Sequence, residues 1–166
     1  NPDIANLGER TTAGEMLSRA LDDAEALYAA HPGNDEVIRV LGEVAFSAAT
    51  HSYVATSDSE RTLQLARRSA QMWGQLAGRP TADLNVRSEY IRARLMTAVP
   101  LPWMGRHAEG VETLKTVREE AARLAGDFPD EPSTRLLLGS LNIELARAIV
   151  RSPDGSFPPG ASLPYW

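Results

Sequence analysis

The sequence predicts an all-α fold: three stacked antiparallel helical hairpins followed by an extended C-terminal tail. Three observations carry that expectation. Alanine and leucine are abundant while aromatic residues make up only 6% of the chain, and side chains without β-branching lose little rotamer freedom on entering a helix. Apolar residues recur at helical spacing in six successive segments. Short breaks, most of them containing proline, separate those segments.

Residues 1–10 read as a linker. Thr12-Ala13-Gly14-Glu15 has the form of a capping box, and Met16, Ala20, Ala24 and Leu27 then recur as an apolar stripe, with Leu17, Leu21 and Tyr28 beside it. His31-Pro32-Gly33-Asn34 ends the helix, because proline disfavours helical geometry in the residue before it. Asn34 or Asp35 can cap the second helix, which runs from about Asp35 to Val54. Its apolar face, Val37, Val40, Leu41, Val44, Ala45 and Ala48, is broad enough to be covered on two sides. Ser57 and Glu60 repeat the capping-box pattern ahead of a third helix, about Ser59 to Ala77, whose stripe is Leu63, Ala66, Ala70, Trp73 and Ala77. Trp73 reads as core.

After Gly78-Arg79-Pro80 a fourth helix runs from about Thr81 to Val99 with Leu84, Ile91 and Leu95. Pro100-Leu101-Pro102-Trp103 breaks the chain, and Trp103 is expected to anchor that loop. The fifth helix, about Arg106 to Phe128, carries Val111, Leu114, Val117, Ala121, Leu124 and Phe128. Pro132 suits the first turn of a sixth helix, which runs from about Ser133 to Val150, because the N–H it lacks would be unpaired there. Leu138, Leu141, Leu145 and Ile149 are its expected core stripe. Residues 152–166 hold four prolines and cannot be regular helix.

Pro32, Pro80 and Pro129 are spaced 48 and 49 residues apart, and aligning on them brings Gly42, Tyr90 and Gly139 into register, then Ala45, Ala93 and Asn142. Small residues at such positions let helices approach closely. The implied unit is a helix–turn–helix that cannot bury its apolar face alone and stacks on its neighbour. Six helices with short loops are also compatible with an up-and-down bundle.

Hairpins joined through His31-Pro32-Gly33-Asn34 and Phe128-Pro129-Asp130-Glu131-Pro132, each followed by an apolar helix with an internal glycine, resemble tetratricopeptide-type repeats over residues 11–151. The resemblance implies a right-handed superhelix whose concave face is built by the first, third and fifth helices and binds a protein or peptide. The standard unit is about 34 residues and carries a Trp-x-x-Leu-Gly-x-x-Tyr signature; here the unit is longer and the signature is absent. Residues 5–17 are also similar to the segment that opens the repeat region of some large bacterial signalling proteins with an upstream serine/threonine kinase or winged-helix domain. That resemblance implies a sensor or scaffold half of a larger protein, cytoplasmic, or periplasmic if a membrane span precedes it.

Charge and motif content narrow the chemistry. The net charge of −5 argues against a general nucleic-acid binder, whose affinity comes mainly from neutralised phosphates. Residues 1–60 carry −8, residues 61–94 carry +5 and residues 95–166 carry −2, so a basic island sits between acidic flanks. Cysteine is absent, which removes disulfides and thiolate metal sites. The apolar runs all fall short of a membrane span. His31, His51 and His107 have no metal-ligand spacing and read as capping or surface residues. There is no glycine-rich phosphate loop, no His-Arg-Asp, no Asp-Phe-Gly and no Gly-x-Ser-x-Gly elbow. No catalytic, cofactor or metal residues are therefore assigned.

Gln64, Arg68, Gln71 and Gln75 follow steps of four, three and four on the third helix and form a polar stripe, with Arg67 at its edge. In a tetratricopeptide-like stack this helix would line the concave face, where amide and guanidinium groups can hold peptide carbonyls and carboxylates. Arg87 and Arg94 share a face of the fourth helix and either extend that basic patch or neutralise the acidic first hairpin. An exposed patch would steer an acidic peptide. Phe157, Tyr165 and Trp166 in the tail are candidates for docking into a groove. The leading expectation is a protein- or peptide-binding scaffold. The rivals are a self-associating module, held by the tail or exposed hairpin faces, and an enzyme with an unfamiliar helical active site.

Overall fold

The computed structural model describes the backbone of residues 2–150 and the side chains of residues 11–150. The described chain is all-helical. Its helices are α1 (Pro2–Ala30), α2 (Asp35–His51), α3 (Ser59–Ala77), α4 (Leu84–Ala98), α5 (His107–Asp127) and α6 (Pro132–Val150). A π-helical turn, Ser52–Thr56, extends α2, and a 3-10 turn, Leu101–Met104, precedes α5. No strand occurs among the described residues. The chain divides into two compact units, residues 1–97 and 98–166.

The helix ends follow local chemistry. The Asn34 carboxamide oxygen accepts from the Glu36 and Val37 N–H groups at 2.9 and 3.2 Å and so begins α2. Asp58 caps α3 by accepting from the Arg61 N–H at 3.0 Å. The expected cap, Ser57, sits one residue earlier in the left-handed region at φ 53°. Asp83 accepts from the Val86 N–H at 2.8 Å and starts α4 later than the apolar pattern suggests. Helix α1 begins at Pro2, so residues 2–10, expected as a linker, are helical, and Thr12–Glu15 lies inside the helix instead of capping it.

Unit 1 is built around Trp73, which is 1% exposed. Ala24 from α1, Ile38 and Leu41 from α2, Met72 and Leu76 from α3, and Val86 and Ala93 from α4 join it in one cluster. The most extensive backbone packing is between α2 and α3, ahead of α1 with α2. Small residues make that approach possible. The Trp73 indole lies directly over Gly42, where an added Cβ would stand 2.8 Å from Nε1. The buried Ser69 hydroxyl donates to the Gly42 carbonyl at 2.8 Å, so a polar group at this dry contact is satisfied. The α1 stripe is rotated from the expected one: Leu17, Leu21, Ala24 and Tyr28 face inward, while Met16 is 67% exposed and Leu27 is also exposed.

Unit 2 is simpler. Leu114, Val117, Ala121 and Leu124 of α5 pack with Leu137, Leu141 and Ala148 of α6. The buried Thr134 hydroxyl donates to the Glu131 carbonyl at 2.8 Å and lies 3.3 Å from the Phe128 carbonyl, closing the α5–α6 turn. Here too the core stripe is rotated: Leu141 is buried as expected, Leu138 and Leu145 are half-buried, and Ile149 is exposed. Trp103, expected as the loop anchor, is 54% exposed; Leu101 and Pro102 are the buried residues of that turn and lie against Gly110.

Candidate functional site

The predicted polar stripe on α3 exists, but most of it faces α1. The Arg68 guanidinium grips Glu25 of α1 with two bonds, Nε to Oε1 at 2.7 Å and an Nη to Oε2 at 2.5 Å. Its other Nη donates to the Gln71 Oε1 at 2.8 Å, and the group lies 5.1 Å from the centre of the Tyr28 ring. Gln75 Nε2 donates to the Tyr28 hydroxyl at 3.1 Å. Hydrogen bonding to Glu25 raises the Arg68 pKa further above its ordinary value, against a smaller opposing effect of burial. Arg68, Gln71 and Gln75 thus form a belt holding α1 to α3, and the carboxylate expected from a partner is supplied by Glu25.

The other candidate cations are placed separately. Arg67 is exposed, and Gln64 lies at the rim of a groove described below. Arg94 stands 5.8 Å from the centre of the Tyr90 ring and, like Arg87, is half-buried on α4. Two further ion pairs link α2 to the chain around the start of α4: Arg39 with Asp83 at 3.7 Å and Arg79 with Asp35 at 2.5 Å. Two arginines of the basic island, Arg68 and Arg79, are thus paired with carboxylates of the acidic segment. The tail candidates Phe157, Tyr165 and Trp166 lie outside the described residues.

A cleft of about 520 Å³ opens between α1 and the corner where α2 turns into α3. Leu17 and Leu21 of α1 form one apolar wall, and Ala48 and Ala55 form the other. Thr11, Glu15 and Ser18 stand on the α1 side, with His51, Thr56, Asp58 and Arg61 opposite. A shallower groove shares Leu21, Asp58 and Arg61 with it and continues along α3 past Glu60, Gln64 and Leu65. The two form one strip.

Local hydrogen bonds fix the corner. Within the π turn the Thr56 hydroxyl donates to the Ser52 carbonyl at 2.8 Å. The Ser52 and Thr62 hydroxyls donate to the Asp58 carbonyl at 3.2 and 2.7 Å. A π turn inserts extra backbone and swings the helix end aside, a device common at functional sites. Across the cleft Gly14 lets the His51 imidazole lie against α1, because a Cβ there would be 3.0 Å from Nε2.

The sequence reading did not find this cleft. The available signal was a set of small residues, Gly14 and Ser18 facing Ala48 and Ala55, which leave space where large ones would fill it. Among the described residues no group of three acidic, histidine or cysteine side chains could hold a metal ion. None of the described helices is long and apolar enough to cross a membrane. Comparison with protein-family models, curated proteins and solved structures finds no match to this chain.

Proposed function

We propose that unit 1 is a protein-interaction module that holds a peptide segment of a partner in the strip between α1 and α3. The observation that carries this reading is the open cleft with aliphatic walls and a polar rim, set on helices fixed by the Arg68–Glu25 belt and the hydrogen-bonded corner. An apolar floor with a few convergent polar groups is the usual form of a binding site, and no catalytic motif competes for it. Membership of a larger signalling protein rests on the resemblance of residues 5–17 alone. Peptides selected from a random display library against the intact protein test the reading. They should protect backbone amides of residues 11–21 and 48–61 from hydrogen exchange and fail to bind Ser18→Trp. Selected peptides that bind Ser18→Trp as well as the wild type would remove the cleft from consideration.

A second reading, self-association, is favoured by α6. Leu136, Ile143 and Val150 stand seven residues apart on one face and are 72%, 50% and 39% exposed. Gly139 and Ala146 form a column of small residues between them. Large side chains of one copy would fit over the small residues of an antiparallel second copy. Sedimentation velocity of wild type against Leu136→Gln/Ile143→Gln decides it: a dimer that the double variant dissociates supports the reading, and a wild-type monomer at high concentration rejects it.

A further inference from the structure

The charges along the strip specify its occupant more narrowly. Among the described residues, three carboxylates line it, Glu15 on α1, Asp58 at the corner and Glu60 in the first turn of α3, against one guanidinium, that of Arg61. His51 is half-buried against Gly14 on the far wall. The segment that supplies most of these groups, residues 1–60, is the acidic part of the chain. The arginine expected to reverse that field at the α1–α3 face, Arg68, is already neutralised by Glu25 at 2.5 Å. The walls are aliphatic: Leu17, Leu21, Ala48 and Leu65.

We infer that the occupant is a basic amphipathic segment of a partner protein, with aliphatic side chains against Leu17, Leu21, Ala48 and Leu65 and lysine or arginine heads directed to Glu15, Asp58 and Glu60. This rests on the peptide-binding reading above and inverts the acidic ligand that the α3 stripe suggested. Long cationic side chains suit such a strip because their methylene stems cover apolar surface while the charged end stays in water at the rim. Carboxylates around an open groove attract a cation in the encounter and add modestly to the final affinity, so binding weakens as salt rises.

Two fluorescein-labelled amphipathic helical peptides of equal length, one of leucine and lysine and one of leucine and glutamate, test it by anisotropy with the intact protein. The leucine–lysine peptide should bind, and Ser18→Trp, with an unchanged melting midpoint, should abolish that binding. Glu15→Lys/Glu60→Lys, which leaves the Asp58 cap in place, should weaken it about tenfold, the effect of two rim charges. Raising the salt from about 0.05 to 0.3 M should weaken the wild type more than the double variant. Preferential binding of the leucine–glutamate peptide, still blocked by Ser18→Trp, would overturn the basic occupant and leave the peptide site standing. Cleft-dependent binding of the leucine–lysine peptide that ignores the double charge reversal would overturn it as well. Binding of both peptides untouched by Ser18→Trp, or no binding of either, would bring down the site and this inference together.

Discussion

Residues 1–97 and residues 98–166 draw on the same alphabet of alanine, leucine and arginine, yet they are finished to different degrees. The first unit encloses a tryptophan among four helices and ties its outer helix down with a guanidinium belt. Over its described residues the second is a helical hairpin with a turn at its head, and a hairpin has too few layers to cover both faces of each helix. Helix α6 therefore keeps an apolar seam in water, Leu136, Ile143 and Val150. The difference teaches where each unit's business is to be sought: in unit 1 a built cleft, in unit 2 an unfinished face.

That comparison can be broken at its core. Trp73→Ala should cost unit 1 about 3–5 kcal/mol, because it removes the largest fully buried side chain and leaves a cavity that four helices cannot all collapse into. Leu141→Ala, at 0% exposure, should cost unit 2 about 2–3 kcal/mol, the lower part of the range for such truncations, since a two-helix layer relaxes more easily. Urea unfolding followed by hydrogen exchange in α2–α3 and in α5–α6 reads the two separately. A larger loss at Leu141 than at Trp73 would contradict the ranking of the two cores.

The belt gives a smaller effect. Arg68→Ala should destabilise unit 1 by about 1–2 kcal/mol, since a part-buried bidentate pair stacked on an aromatic ring exceeds the usual surface ion pair. The sign of its pH dependence follows from the raised pKa. A cation whose folded pKa is raised contributes stability that is complete below its unfolded pKa and is lost only as pH rises through the folded one. Both values lie far above neutrality, so the Arg68 proton itself adds no pH dependence between about pH 6 and 9. Added salt should narrow the gap between wild type and Arg68→Ala. A gap unchanged by salt would show that the arginine acts through packing alone.

The all-α class and several helix ends were legible because proline and the capping residues punctuate the chain. Helix α3 runs from Ser59 to Ala77 as the pattern predicts, and the Asn34 and Pro132 helix starts are where short-range chemistry puts them. Rotation about the helix axis was less legible. Leu136, Leu137 and Leu138 are adjacent and equally oily, so hydropathy cannot say which points inward; α5 decides, and it chooses Leu137. The site was legible only as a stripe. The step pattern finds Gln64, Arg68, Gln71 and Gln75 on one face, but the partner of Arg68 is Glu25, 43 residues away. No local spacing announces a pairing of that range. The cleft was hidden for a different reason: it is made by side chains that are small, and an absence of bulk has no motif.

The finest test compares two glycines that share a sequence register. Gly42 and Gly139 occupy equivalent places relative to their helix-breaking prolines, yet they have opposite surroundings. A Cβ on Gly42 would meet the rigid, buried indole of Trp73, with three ring atoms between 2.8 and 3.1 Å. Gly42→Ala should therefore destabilise by about 1–3 kcal/mol. A Cβ on Gly139 would meet nothing within 4 Å. In the isolated chain Gly139→Ala should stabilise α6 by about 0.5–1 kcal/mol, the ordinary gain of alanine over glycine inside a helix. The sign at Gly139 also reports on the seam. If a second copy packs closely over that column of small residues, the added methyl obstructs it, and the stabilisation seen at low protein concentration becomes a loss at high concentration. Thermal unfolding of Gly139→Ala at two protein concentrations, set against wild type, thus reads whether the apolar face of α6 stays in water or is covered by its own copy.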